Sequence, residues 1–116
     1  MKTAIVNSDS YEKHITGDGH PEQPKRVIAI KEKLKNRKDL IWEKPDYVPE
    51  DILAMTHSKD YIEDLKDSFP KTGLKFLDGD TVVSPDSKKA VFEAAGSTIR
   101  AIDGIENNKF KNAFCL

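Results

Sequence analysis

Thr3-Ala4-Ile5-Val6-Asn7-Ser8-Asp9-Ser10 is a short apolar, largely β-branched run that drops at once into polar residues. This is the pattern of an edge-to-core strand leading into a loop. The loop from Ser8 to Gln23 is rich in Asp, Gly and His, and long irregular loops in small domains usually carry function or motion. Beyond it, Pro24 stands where a first helical turn tolerates proline, and Val27, Ile30 and Leu34 recur at helical spacing. A helix is expected from about Glu22 to Asn36. A strand, a loop and a helix in succession point to an α/β chain.

The rest of the chain repeats this alternation. Leu40-Ile41-Trp42 reads as a short strand, and Pro49-Glu50-Asp51 as the first turn of a short helix carrying Ile52 and Leu53. Ser58 is a helix cap with Asp60 in the first turn, where a carboxylate meets the positive end of the helix dipole. Ile62, Leu65 and Phe69 form that helix's stripe. Ser84-Pro85-Asp86 is the clearest helix start, with a capping hydroxyl followed by proline. Val91, Ala95, Thr98, Ile102 and Ile105 trace the expected apolar face, and the small residues Ala90, Ala94, Ala95 and Gly96 permit close packing. Asn112-Ala113-Phe114-Cys115-Leu116 reads as the opening of a buried strand.

Composition excludes several classes. The chain has 116 residues, 37% hydrophobic and 34% charged, which suits one folded domain rather than a disordered segment. Its net charge of −1 argues against partners recognised by bulk charge, so neither nucleic acid nor a membrane surface is expected. No apolar run is long enough to span a bilayer and the start lacks a signal-peptide core. The expected location is cytoplasmic. The single cysteine, Cys115, excludes an internal disulfide and a multi-cysteine zinc finger.

No complete catalytic set is visible. His14, His20 and His57 form no closely spaced metal-binding pair, and a zinc site needs about three or four ligands. Cys115 lies in an apolar run, where a thiol is normally an inert small hydrophobe. Neither a nucleophile-elbow nor a phosphate-binding glycine pattern occurs. Between Lys25 and Lys44, eight basic residues face three acids, which describes either a surface for an acidic partner or the solvated face of a helix. Arg26 stands in a first turn after two prolines, either exposed or holding an anion in a fixed geometry. Asp78-Gly79-Asp80-Thr81 is an acidic turn. Asp80 either accepts hydrogen bonds from a ligand backbone or stabilises the turn itself.

Five segments in order give the chain a family resemblance. They are Gly19-His20-Pro21-Glu22-x-Pro24-x-Arg26, Thr56-His57-Ser58-x-x-Tyr61-Ile62, Asp78-Gly79-Asp80-Thr81, Ser87-x-x-Ala90-x-x-x-Ala94-Ala95-Gly96 and Asn112-Ala113-Phe114-Cys115. Together they resemble the amino-terminal part of the histone deacetylase superfamily, which includes acetylpolyamine amidohydrolases and acetoin-utilisation proteins. The His-Pro-Glu form resembles the class II branch.

The resemblance implies the leading portion of a three-layer α/β/α arginase/deacetylase fold, with residues 1–116 as a single partial domain. It implies zinc-dependent hydrolysis of acetylated amines by the complete protein. In the family the paired histidines, the zinc ligands and the transition-state tyrosine follow the strand that opens like Asn112–Leu116. Hence no catalytic residue, metal ligand or cofactor is expected in this stretch, and no activity from it alone. The alternative is a non-catalytic binding or interaction module derived from the same fold. Arg26 matches the arginine at the floor of the family's tunnel, near its acetate channel. Asp80 matches the rim aspartate that orients substrate, with Asp78 as the neighbouring choice. His20, Glu22 and His57 match motif positions and are expected to support the access loops. A free apolar strand at Phe114 implies pairing with a second copy.

Overall fold

The computed structural model describes residues 1–116. Strands β1 (Thr3–Val6), β2 (Leu40–Glu43) and β5 (Asn112–Cys115) form a parallel sheet in the order β2-β1-β5. β1 lies opposite both neighbours in register, with Val6 against Glu43 on one side and Cys115 on the other. Between them run α1 (Pro24–Leu34), α2 (Glu50–Leu53), α3 (Lys59–Ser68) and α4 (Ser87–Glu106). A small antiparallel hairpin, β3 (Lys75–Phe76) with β4 (Val82–Val83), precedes α4. The α/β class is as the sequence implied. No helix is long and apolar enough to cross a membrane.

β1 is the central strand rather than one running inward from an edge. Ala4, Ile5 and Val6 are 0%, 3% and 0% exposed. A parallel strand covered on both faces reads as a continuous apolar run without alternation, and Ala4-Ile5-Val6 is such a run. β5 departs from its expectation. It is an edge strand, and Phe114 is 54% exposed, because only β1 pairs with it.

α1 covers Pro24–Leu34, inside the expected span, with Pro24 in the first turn and Val27 buried. Four of the eight basic residues between Lys25 and Lys44 are ion-paired. Arg26 pairs with Glu22, Lys31 with Asp9 and Glu12, Lys35 with Glu32, and Arg37 with Asp39. Lys25, Lys33, Lys38 and Lys44 are exposed and form no ion pair. Ser58 caps α3, its hydroxyl accepting from the Tyr61 amide at 3.2 Å.

α4 differs from its reading in both start and face. It begins at Ser87, because the Ser84 hydroxyl is engaged elsewhere: it accepts the Ile15 amide at 3.1 Å. The Ser84 amide donates to the Ser87 hydroxyl at 2.8 Å, so Ser84–Ser87 closes as a turn ahead of the helix. The buried face is Ser87, Ala90, Glu93, Ser97, Ala101 and Gly104, while Val91, Ile102 and Ile105 are exposed. Close approach selects the small residues. A Cβ on Gly96 would stand 1.8 Å from the Asp46 carbonyl oxygen, and one on Gly104 would stand 1.9 Å from the Phe110 ring. A side chain at either position would push α4 away from the Asp46–Val48 segment or from the Phe110 ring.

Candidate functional site: a polar cavity beyond the carboxyl end of the central strand

In parallel sheets, ligands bind beyond the carboxyl ends of the strands. Here the segment leaving β1 builds that region. Ser8 caps a 3-10 helix over Asp9–Lys13, accepting the Ser10 amide. The chain then passes His14, whose Nδ1 lies 2.6 Å from the buried Ser87 hydroxyl. Thr16 donates to the Glu22 carbonyl and ties the loop to the start of α1.

The opposite wall is the β3–β4 hairpin. Its turn is held by Asp78, whose Oδ1 accepts the Asp80 and Thr81 amides at 2.8 and 2.7 Å and whose Oδ2 accepts the Thr81 hydroxyl at 3.0 Å. These donors favour the charged carboxylate and hold Asp78 below the ordinary aspartate range. Asp78 is thus occupied within the turn. The Asp80 side chain is 95% exposed and accepts no hydrogen bond from the protein; His20 Nε2 lies 3.7 Å from its Oδ1.

The two walls enclose a cavity of about 430 Å³, lined by His14, Thr16, His20, Glu22, Arg26 and Asp80 among others. Arg26 donates from Nη2 to Glu22 Oε1 at 3.0 Å, one turn apart on the helix, and both side chains are about half exposed. Such a pair contributes only about 0.3–0.5 kcal/mol. The other guanidinium donors remain available, and a planar fork of donors suits a carboxylate. Glu22, Arg26 and His14 also border a smaller, more apolar cavity of about 230 Å³ that contains Val27, Ala90 and Leu116. They form the partition between the two spaces.

His14 is half-buried, and burial holds its pKa below the usual histidine value; the Glu22 carboxylate opposes this and His20 adds to it. Tyr11 is raised, first by burial. Its hydroxyl and Asn7 Oδ1 are buried without a hydrogen-bond partner.

Arg26 and Asp80 therefore share one cavity. His20 and Glu22 lie in it too, bonded to loop backbone and to Arg26 respectively. His57 does not. It stacks near Tyr61, with ring centroids 5.2 Å apart, at a separate apolar cavity of about 220 Å³ between α3 and α4. Cys115 is a free thiol directed at the Ser97 carbonyl, 3.5 Å away.

Sequence reading missed Glu93 and the His14–Ser87 contact. Glu93 is 8% exposed and accepts from the Ser8 and Ser10 hydroxyls, the latter at 2.5 Å. The available signal was positional: Ser87 and Glu93 lie in step with Ala90, Ser97, Ala101 and Gly104 at helical spacing.

A family model described as histone deacetylase domain matches residues 20–116. An uncharacterized protein, slr0245, of Synechocystis sp. (strain ATCC 27184 / PCC 6803 / Kazusa) is 33% identical over 111 residues, covering 90% of this chain and 35% of that protein. The crystal structure of the HDA15 HD domain matches with a TM-score of 0.85 at 20% identity, covering 98% of this chain and 34% of that one. The last likeness is one of fold. The chain spans about a third of the length of these relatives.

Proposed function

The chain belongs to the histone deacetylase domain family, and from that premise we propose that it supplies the substrate-positioning side of a zinc-dependent hydrolase of acetylated amines. One observation carries the reading: Arg26 and Asp80, far apart in sequence, line the same cavity. Hydrolysis of an acetylated amine yields a free amine and acetate. The Arg26 guanidinium is a permanent cation of the right shape to hold acetate. The Asp80 carboxylate is free to accept N–H groups from the substrate backbone. Asp78 is spent on its own turn, which favours Asp80 as the orienting residue.

The family implies zinc, whose chemistry is to activate water for attack on the acetyl carbonyl. The residues present do not form such a site: no three of the His, Cys, Asp and Glu side chains stand where they would share an ion. In this reading the metal ligands and the proton-transfer groups belong to sequence outside these residues. The chain's own side chains bind and orient.

Titration of the isotope-labelled chain with acetate and with an N-acetyl-lysine tripeptide tests the reading. Acetate is expected to perturb the Arg26 side-chain resonances, and Arg26→Ala to weaken acetate binding at least about tenfold, the loss of a charge-assisted pair. The peptide is expected to perturb Asp80. Release of acetate by the purified chain, abolished by a chelator, overturns the division of labour.

A second reading is a free-standing binding module. It rests on a cavity whose polar lining needs no metal. Micromolar binding of the acetylated peptide by the chain alone supports it over the first. In either reading, the open edge of β5 with Phe114 exposed supports pairing between two copies. Sedimentation showing a monomer at high concentration counts against that pairing.

A further inference from the structure

His20 is hydrogen-bonded to both walls of the cavity. Its Nε2 lies 2.8 Å from the Asp80 carbonyl oxygen. A carbonyl only accepts, so Nε2 carries the proton, and Nδ1 accepts the Glu22 amide at 3.1 Å. The ring thereby uses both nitrogens while spanning from the α1 side to the hairpin. Its side chain is only 17% exposed. No other hydrogen bond joins residues 14–23 to the turn 78–81.

The hairpin needs such a tie. Its ladder is two residues on each strand; β4 is seated by the buried Val82 and Val83, but β3 is exposed at Lys75 and Phe76, so the outer strand and the turn of this short ribbon have little support of their own. The Asp78 bonds shape the turn internally but do not aim it. His20 grips the backbone of Asp80 and leaves the carboxylate free.

Resting on the reading of Asp80 as the substrate-orienting carboxylate, we infer that His20 is a positioning residue that fixes the Asp80 turn over the cavity. Holding the turn in its binding geometry removes an ordering cost at the moment of association.

Amide hydrogen exchange and N-acetyl-lysine tripeptide binding, measured on the full chain and its variants, test this. His20→Met keeps bulk and loses the donor; His20→Gln keeps a donor toward the Asp80 carbonyl. His20→Met is expected to speed exchange at Leu77 and Thr81 about fivefold, the value of one hydrogen bond, with β1 and α4 unchanged. His20→Gln is expected to restore protection to within about twofold. Peptide binding should weaken about fivefold in His20→Met, with no further loss when His20→Met is added to Asp80→Asn.

Unchanged exchange at Leu77 and Thr81, or a uniform loss of protection that includes β1 and α4, overturns the tie. Additive binding losses overturn its action through Asp80. Absence of peptide binding by the wild-type chain removes Asp80's role and the functional reading together, while the exchange comparison still decides whether His20 fixes the turn.

Discussion

β1 and β5 are parallel neighbours of equal length, Thr3–Val6 beside Asn112–Cys115, and both are apolar in their interiors. One is sealed in the core and the other has an exposed phenylalanine. The difference is their place in the sheet. α4 packs against both, but β1 has a strand on each side, whereas β5 has one neighbour and an open edge. β1 runs into the buried polar cluster of Ser8, Ser10 and Glu93 and then into the cavity loop. The contrast separates what holds the fold from what is left for contact.

The strongest test of that contrast is a charge in β1. Val6→Asp buries an unpaired carboxylate where nothing can hydrate it, and a loss above about 4 kcal/mol is expected. Circular dichroism of the purified variant should show an unfolded chain. Next is Glu93→Ala, which leaves the buried Ser8 hydroxyl without its acceptor while Ser10 can still donate to Ser8. A loss of about 2–3 kcal/mol in urea denaturation is expected, with Glu93→Gln recovering part of it. Phe114→Ala in β5 should cost under about 1 kcal/mol, since much of the ring is already in water. A loss as large as that of Glu93→Ala would show β5 to be as buried in solution as β1.

The smallest effect is one of pH. His14 has a folded pKa below its ordinary value of 6.5, first because it is buried. The unfolded chain then binds more protons as pH falls below about 6.5, so stability declines from there down to the folded pKa and is fully present above. Melting temperatures of the wild type and His14→Gln between about pH 7.5 and 5 should converge or cross as pH falls, the variant having the flatter profile. Parallel profiles would mean that His14 is hydrated in solution.

Much of the architecture was legible. Pro24 and Ser58 start helices where capping rules place them, because those rules act within a few residues. The α4 start was not, since the Ser84 hydroxyl was claimed by the distant Ile15 amide. Nor was the α4 face. Val91, Ile102 and Ile105 are exposed, while the buried residues of α4 are mostly small, with Phe92 and Glu93 among them. In the site, Arg26 and Asp80 were nameable one at a time. Their convergence on one cavity depended on a hairpin seated by the buried Val82 and Val83 and tied at its turn to His20.

Residue identity alone set the apolar strand runs, the helix starts governed by their own caps, and the order of segments that marks the family. These depend on neighbours along the chain. The burial of Glu93, the choice of face on α4 and the freedom of Asp80 beside an occupied Asp78 came from folding. Burial and pairing are properties of what lies across space, and the deciding partners here are separated by 85 residues for Ser8 and Glu93 and 60 for His20 and Asp80.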